Sequence, residues 1–259
     1  MITNKNSQHY LRWLVKISDS QPIRYEEIPK DFQDYFSIPA LSQALKISIN
    51  KPLAANWSKV ESYINKNTFS DFYILAKGIS ENFQTDIDKL YAAYYFVTHH
   101  VKYDYPRSLI KTNRPTLSIE NIFNKRLGVC SDYAKFMREL AKKVGITSKC
   151  MRIVPFINSA KANGWNAYYP PERPDFDHEA IYIDIGGEKF ISEPTWGAGS
   201  SDDNNVFSFK YTKSDFLIPY YTSILSHFPE NILDKSLIYP FTWDQFIMLN
   251  EPNISKELS

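Results

Sequence analysis

The chain has 259 residues, with 30 Lys+Arg against 29 Asp+Glu and a formal net charge of +1. So even a balance offers no basic face to recruit phosphates and no acidic tail, which argues against a nucleic-acid partner. Aromatic residues make up 15% of the chain, enough apolar bulk for a substantial folded core.

Residues 1–50 carry short mixed patterns punctuated by Pro22, Pro29 and Pro39. The short apolar stretch near the start is broken by Arg12 and Lys16, so it reads neither as a signal peptide nor as a membrane span. The two cysteines, Cys130 and Cys150, cannot form a disulfide framework, and the sequence holds no CxxC pair for zinc. This usage suits a reducing compartment, and the expected location is cytoplasmic.

From Pro52 to Asn67, Leu53, Trp57, Val60 and Ile64 recur at helical spacing, with Pro52 near the first turn. A second helix is predicted over 70–83. Thr85 or Asp86 caps a third, with Ile87, Leu90, Tyr91, Tyr94 and Val97 on one face. It should stop before VKYDYP, which reads as extended up to Pro106. A polar connection over 107–127 contains a short helical piece around Ile119–Phe123.

The next helix starts at Cys130. Tyr133, Phe136, Met137, Leu140, Ala141 and Val144 form its apolar face, and Gly145 ends it. The period then changes to two. Residues 149–158 read as a strand that Pro155 confines to an edge or a bulge. Residues 159–177 read as a long loop, and 178–196 as two strands around Gly186-Gly187. Short strand-like pieces and a terminal helical turn in TWDQFIML complete the chain. Helices first and strands after them imply an α+β fold.

A cysteine at a helix start has two readings. Free cysteines are commonly small buried core residues. A helix N-terminus, however, stabilises a thiolate, and its unpaired N–H groups can receive an oxyanion. Gly128 lets a tight loop approach that helix start. A nucleophilic thiol also needs a base. Of the five histidines, His9 lies near a terminus, His227 in a turn-like SHFPEN, and His99 and His100 at a helix end. His178 opens the hairpin. With a two-residue turn at Gly186-Gly187, Tyr182 faces Ile191 and Ala180 faces Glu193, so Glu193 is the diagonal neighbour of His178. A bulge at the glycines would shift this register by one.

At these residues the sequence resembles the transglutaminase-like superfamily of cysteine enzymes. GVCSDYAKFMRELAKKVGI is similar to the start of the family's nucleophile helix, and HEAIYIDIGGEKFISEPTWG to its histidine–acid hairpin with the Thr-Trp-Gly element. LYAAYYFVTHHVKYDYP is similar to the segment preceding the cysteine. Thr195–Gly199 and His227–Pro229 bring the chain nearest to the kyphoscoliosis-peptidase branch.

The resemblance implies a papain-like core with the nucleophile helix packed on an antiparallel sheet. Residues 1–83 would be a mainly helical extension, 84–250 the transglutaminase-like domain and 251–259 a tail. It further implies Cys130 as nucleophile, His178 as general base and Glu193 as orienting acid, with a protein or peptide substrate and no metal or organic cofactor. The reaction would pass through a thioester, as peptidase, deamidase or transglutaminase. A second reading keeps the fold as an inactive protein-interaction module.

Two positions depart from the family pattern. Glu193 stands where Asp is usual, and Glu179-Ala180 where Ala-Trp is common. The lost indole leaves space beside His178, while Glu179 points away by alternation. Trp165, Tyr168, Tyr169 and Trp196 are candidates to line a substrate groove, with loop packing as the alternative. Cys150 reads as a core residue. The sequence sets no oligomeric state.

Overall fold

The computed structural model describes residues 55–110, 112–155, 176–202, 204–223 and 227–230. The patterns before residue 55, the aromatic loop with Trp165, Tyr168 and Tyr169, and the TWDQFIML piece lie outside them. The fold is α+β. The chain divides into two compact units: a larger one of Leu53–Met151 with His178–Ile218, and a smaller one of Met1–Pro52, Arg152–Asp177 and Pro219–Ser259.

The larger unit opens with three capped helices. Helix α1 (Trp57–Lys66) begins later than the Pro52 signal suggests, because Asn56 is the cap and accepts the Lys59 N–H at 3.3 Å. Asp71 caps α2 (Phe72–Asn82) through the Ile74 N–H at 2.9 Å. Thr85 caps α3 (Asp86–His100) through the Asp88 N–H at 3.1 Å. The spacing predicts one apolar stripe on α3, yet every residue from Leu90 to Thr98 is buried. Four other helices, α1, α2 and two described below, pack around it, so tertiary contact replaces the expected solvent face.

Only Lys102–Tyr103 of VKYDYP forms a strand, β1. Pro106 then opens the helical turn α4 (Tyr105–Ser108) that Asp104 caps, because proline suits a first turn as well as it suits an extended chain. Helix α5 (Ile119–Lys125), capped by Ser118, leads into β2 (Leu127–Gly128), which pairs in parallel with β1. Helix α6 (Cys130–Lys143) follows at once and ends at Gly145, whose φ is 87°.

The sheet of this unit uses β3 (Thr147–Pro155) up to Met151, then β4 (His178–Ile185) and β5 (Glu188–Ser192), in the order β5-β4-β3. Strands β4 and β5 are antiparallel, with Ile185 opposite Glu188 and Tyr182 opposite Ile191. This is the register of an unbulged two-residue turn. Gly186 and Gly187 both have positive φ, 60° and 87°, as a primed hairpin turn requires. After β5 come the short helix α7 (Pro194–Ala198) and the hairpin β6 (Gly199–Ser201) with β7 (Phe207–Phe209).

In the smaller unit, residues 153–155 pair antiparallel with β8 (His227–Pro229). Pro155 stands opposite His227 at the end of β3. A proline in the last position disturbs the ladder least. Arg152 Nη1 meets Glu230 Oε1 at 2.8 Å, and Phe176 stacks on Phe228 with centroids 6.2 Å apart.

Helix α6 packs on β4 and α3 through the face read from the sequence: Tyr133, Phe136, Met137, Leu140 and Ala141 are all buried. Phe136 is fully buried and meets the rings of Phe72, Phe96 and Phe123. Phe136→Ala is expected to lower stability by about 3–5 kcal/mol. Exposed Lys142→Ala should change it by no more than about 0.5 kcal/mol. Urea unfolding of the two variants measures both.

Candidate active site

Cys130 is the first residue of α6, and three neighbours fix that helix start. The Val129 N–H donates to Asp132 Oδ2 at 2.9 Å, while the Asp132 N–H donates to the Val129 carbonyl at 2.8 Å. The carboxylate of Asp132, three residues into the helix, thus closes back on the cap residue, the acid half of a capping box. Asp132 is 2% exposed, and the Arg107 guanidinium pairs with both of its oxygens. Arg107 also donates to the Pro115 carbonyl at 2.8 Å. Gly128 is required by close approach: a Cβ there would sit 2.8 Å from Asp132 Cβ and 3.3 Å from Val101 Cγ1. Its carbonyl accepts the Asp104 N–H at 2.9 Å, which ties the loop before Cys130 to the cap of α4.

His178 is the first residue of β4. Its Nε2 donates to Glu193 Oε2 at 2.9 Å, and its side chain forms a hydrogen bond with Cys130. With Nε2 committed to the carboxylate, Nδ1 is the ring nitrogen left for sulfur. Glu193 is fully buried and Cys130 is 5% exposed. Burial disfavours the charged imidazole, but the Glu193 carboxylate and the sulfur of Cys130 outweigh it, and the His178 pKa is raised well above its ordinary value.

Glu193 stands one residue past the end of β5, since the ladder closes with Ile181 opposite Ser192. It is not a strand residue facing Ala180, because Pro194 lacks an N–H and starts α7, with Glu193 as the cap position. Its backbone is held at both ends: its N–H donates to the Asp215 carbonyl at 2.8 Å and its carbonyl accepts the Gly197 N–H at 2.9 Å. The Tyr94 hydroxyl occupies the space where a Gly197 side chain would be, and donates to the Thr212 carbonyl at 2.9 Å.

The space expected beside His178 is filled from another direction. The Trp196 indole stacks on the imidazole, with centroids 5.1 Å apart and planes 15° from parallel. Sequence reasoning placed Trp196 only among groove or loop-packing residues. It also missed Arg107 and Asp132 altogether, although an acid three residues after a helix cap is a legible capping signal. Glu179 points away, as alternation implies, and bonds the Cys150 thiol. Cys150 is half-buried rather than a core residue, and burial, with Glu179 beside it, pushes its pKa up to about 12. Neither cysteine is in a disulfide.

The other described histidines are engaged elsewhere. His99 Nδ1 donates to the Tyr95 carbonyl at 2.7 Å, and His100 Nε2 to the Phe123 carbonyl at 2.7 Å. His227 is buried in the smaller unit, its Nδ1 3.2 Å from the Ser223 carbonyl. Among the described residues no group of three or more His, Cys, Asp or Glu is arranged to hold a metal ion, and no helix is long and apolar enough to cross a membrane.

Residues 74–171 match the model of the transglutaminase-like superfamily. The match contains Cys130 and ends before His178. The human kyphoscoliosis peptidase is 25% identical over 160 residues, 61% of this chain and 23% of that protein. The chain spans about a quarter of the length of the curated relatives it matches. A proposed cysteine protease from Cytophaga hutchinsonii aligns with a TM-score of 0.30 at 16% identity, over 68% of this chain and 45% of that one. A TGase crystal structure aligns with a TM-score of 0.34 at 11% identity, over 73% and 44% of the two chains.

Arg107→Ala would leave the buried Asp132 carboxylate unpaired, and is expected to cost about 3–5 kcal/mol of stability. Guanidinium unfolding checks this, and Arg107→Ala combined with Asp132→Asn should recover much of the loss. A second expectation concerns pH. Because the folded His178 pKa is raised above the ordinary 6.5, its stabilising contribution is complete below about pH 6.5 and is lost as pH rises through the folded pKa. Glu193→Gln should move that loss to lower pH, read from melting temperatures across a pH series.

Proposed function

We propose that the chain is a cysteine-dependent hydrolase or acyltransferase acting on protein glutamine or peptide carbonyls. One observation supports this most: a single imidazole bonds the helix-start thiol on one side and a fully buried carboxylate on the other. Cys130 is the nucleophile, His178 the general base and acid, and Glu193 the group that fixes the ring's tautomer and orientation.

In this reading, His178 takes the Cys130 thiol proton as Sγ attacks the carbonyl carbon, and the C=O π pair moves to the carbonyl oxygen. The N–H groups of the first turn of α6, which a helix leaves without intrahelical partners, receive that oxyanion. The oxyanion collapses to a thioester as the C–N bond breaks, and His178 gives its proton to the departing amine or ammonia. Water or a second amine then enters, loses its proton to His178 and releases the thiolate. Glutamate can serve as the third member of a triad, and here its carboxylate reaches His178 Nε2 at 2.9 Å from a helix cap.

The alternative reading, an interaction module without turnover, draws on the slight exposure of the thiol, 5%. Mass spectrometry of protein substrates incubated with wild type and Cys130→Ala separates the two. Cleaved peptides, side-chain carboxamides gaining about 1 Da, or new crosslinks, each lost in Cys130→Ala, would mark peptidase, deamidase and transglutaminase respectively. No Cys130-dependent change in any substrate would favour the interaction module.

A further inference from the structure

The imidazole of His178 has a third neighbour that the thiol and the carboxylate do not account for. Glu193 and Trp196 are three residues apart on one turn, so α7 presents both to the same ring: the acid at its edge and the indole over its face. The turn is held against movement. Lys210 and Thr212 N–H groups donate to the Ala198 and Gly197 carbonyls at 2.9 and 3.1 Å, and the Asp215 carbonyl takes the Glu193 N–H. The Tyr94 hydroxyl, packed against Gly197, bonds the same 210–215 segment from helix α3. That segment is tied outward as well, since the Tyr211 and Tyr91 hydroxyls lie 2.7 Å apart and Lys213 pairs with Glu61 at 2.7 Å.

We propose that Trp196 is a positioning residue for His178: its indole face holds the imidazole plane so that the ring nitrogens stay aimed at Glu193 and Cys130, and it favours the protonated ring. The inference rests on His178 being the base of the proposed reaction. A cation within about 6 Å of an indole centroid is attracted by the negative face of the π system, and the 5.1 Å offset stack meets that condition. The ionisable groups acting on His178 are Glu193 from the α7 cap and Cys130 from α6, while its strand neighbour Glu179 is turned toward Arg138 and Cys150. An indole adds attraction for the imidazolium without adding a charge that would compete for the thiol. It also supplies, from the acid's own turn, the aromatic wall that Ala180 cannot.

The test uses ground-state measurements on the full chain, so it succeeds or fails independently of turnover. Nitrogen NMR of labelled histidine, with the His178 signals assigned by their loss in His178→Gln, follows the His178 titration in wild type, Trp196→Phe and Trp196→Leu. The Leu variant should titrate lower by about half a pH unit or more, with Phe intermediate. Iodoacetamide labelling of Cys130 should change its pH profile in the Leu variant together with the His178 titration. A folded Leu variant whose titration and labelling profile match wild type overturns the proposal. Should the Leu variant not fold, tryptophan fluorescence decides. An imidazolium quenches a stacked indole, so wild type should brighten as His178 deprotonates and Trp196→Phe should lack that step. A fluorescence titration identical in both also overturns it. If the His178 titration shifts as expected while the substrate screen shows no Cys130-dependent product, the effect of Trp196 on the imidazole stands and the enzymatic reading, with the catalytic purpose of that positioning, falls.

Discussion

The larger unit is organised around the hydrogen bond between His178 and Glu193, a charge-capable pair removed almost wholly from water. A carboxylate buried that completely is tolerable only with a partner that can carry positive charge, and a buried imidazole becomes charged only beside an anion. The Glu193 carboxylate is thus one of the groups that raise the His178 pKa. The remaining elements serve to keep this pair assembled. The β4–β5 hairpin brings the two chain segments within reach, Pro194 turns the acid out of the ladder, and the 210–215 segment fixes the turn from outside.

The thiol is positioned by a separate and equally buried ion pair. Arg107 and Asp132 lock the first turn of α6, with Gly128 leaving the room their contact needs. Cys130 thus has little freedom to move relative to its helix, and the helix has little freedom relative to β4. Two rigid arms, one carrying the thiol and one the carboxylate, meet at one imidazole. This is the preorganisation that the proposed chemistry calls for, because reacting groups held in place need no reorganisation when charge develops. The same rigidity would serve a binding surface, which is why the decision between the two rests on chemistry at the sulfur.

Much of this was legible in the residues. The cap at Thr85, the apolar face of α6 and the Gly145 stop follow from local rules, and all appear in the structure. The hairpin register followed from two adjacent glycines, and Glu193 does reach His178, though from the residue after the strand. Errors arose where a residue type permits two conformations. Proline suits both extended chain and a helix start, so Pro106 and Pro52 misplaced boundaries by a few residues. The all-round burial of α3 had no signal, since tyrosine and threonine read as boundary residues until other helices surround them.

The sequence by itself determined the elements, the turn and the order in which a helix-start cysteine, a strand histidine and an acid occur along the chain. Those are consequences of local backbone preference and periodicity, which act over a few residues. Only the tertiary structure decided which histidine meets the thiol, that the acid is presented from a helix cap, that Trp196 covers the imidazole, and that Arg107 reaches Asp132 twenty-five residues away. These contacts join segments distant in sequence, and burial selects them: once the core closes, each charged or polar group inside it must find its partner there.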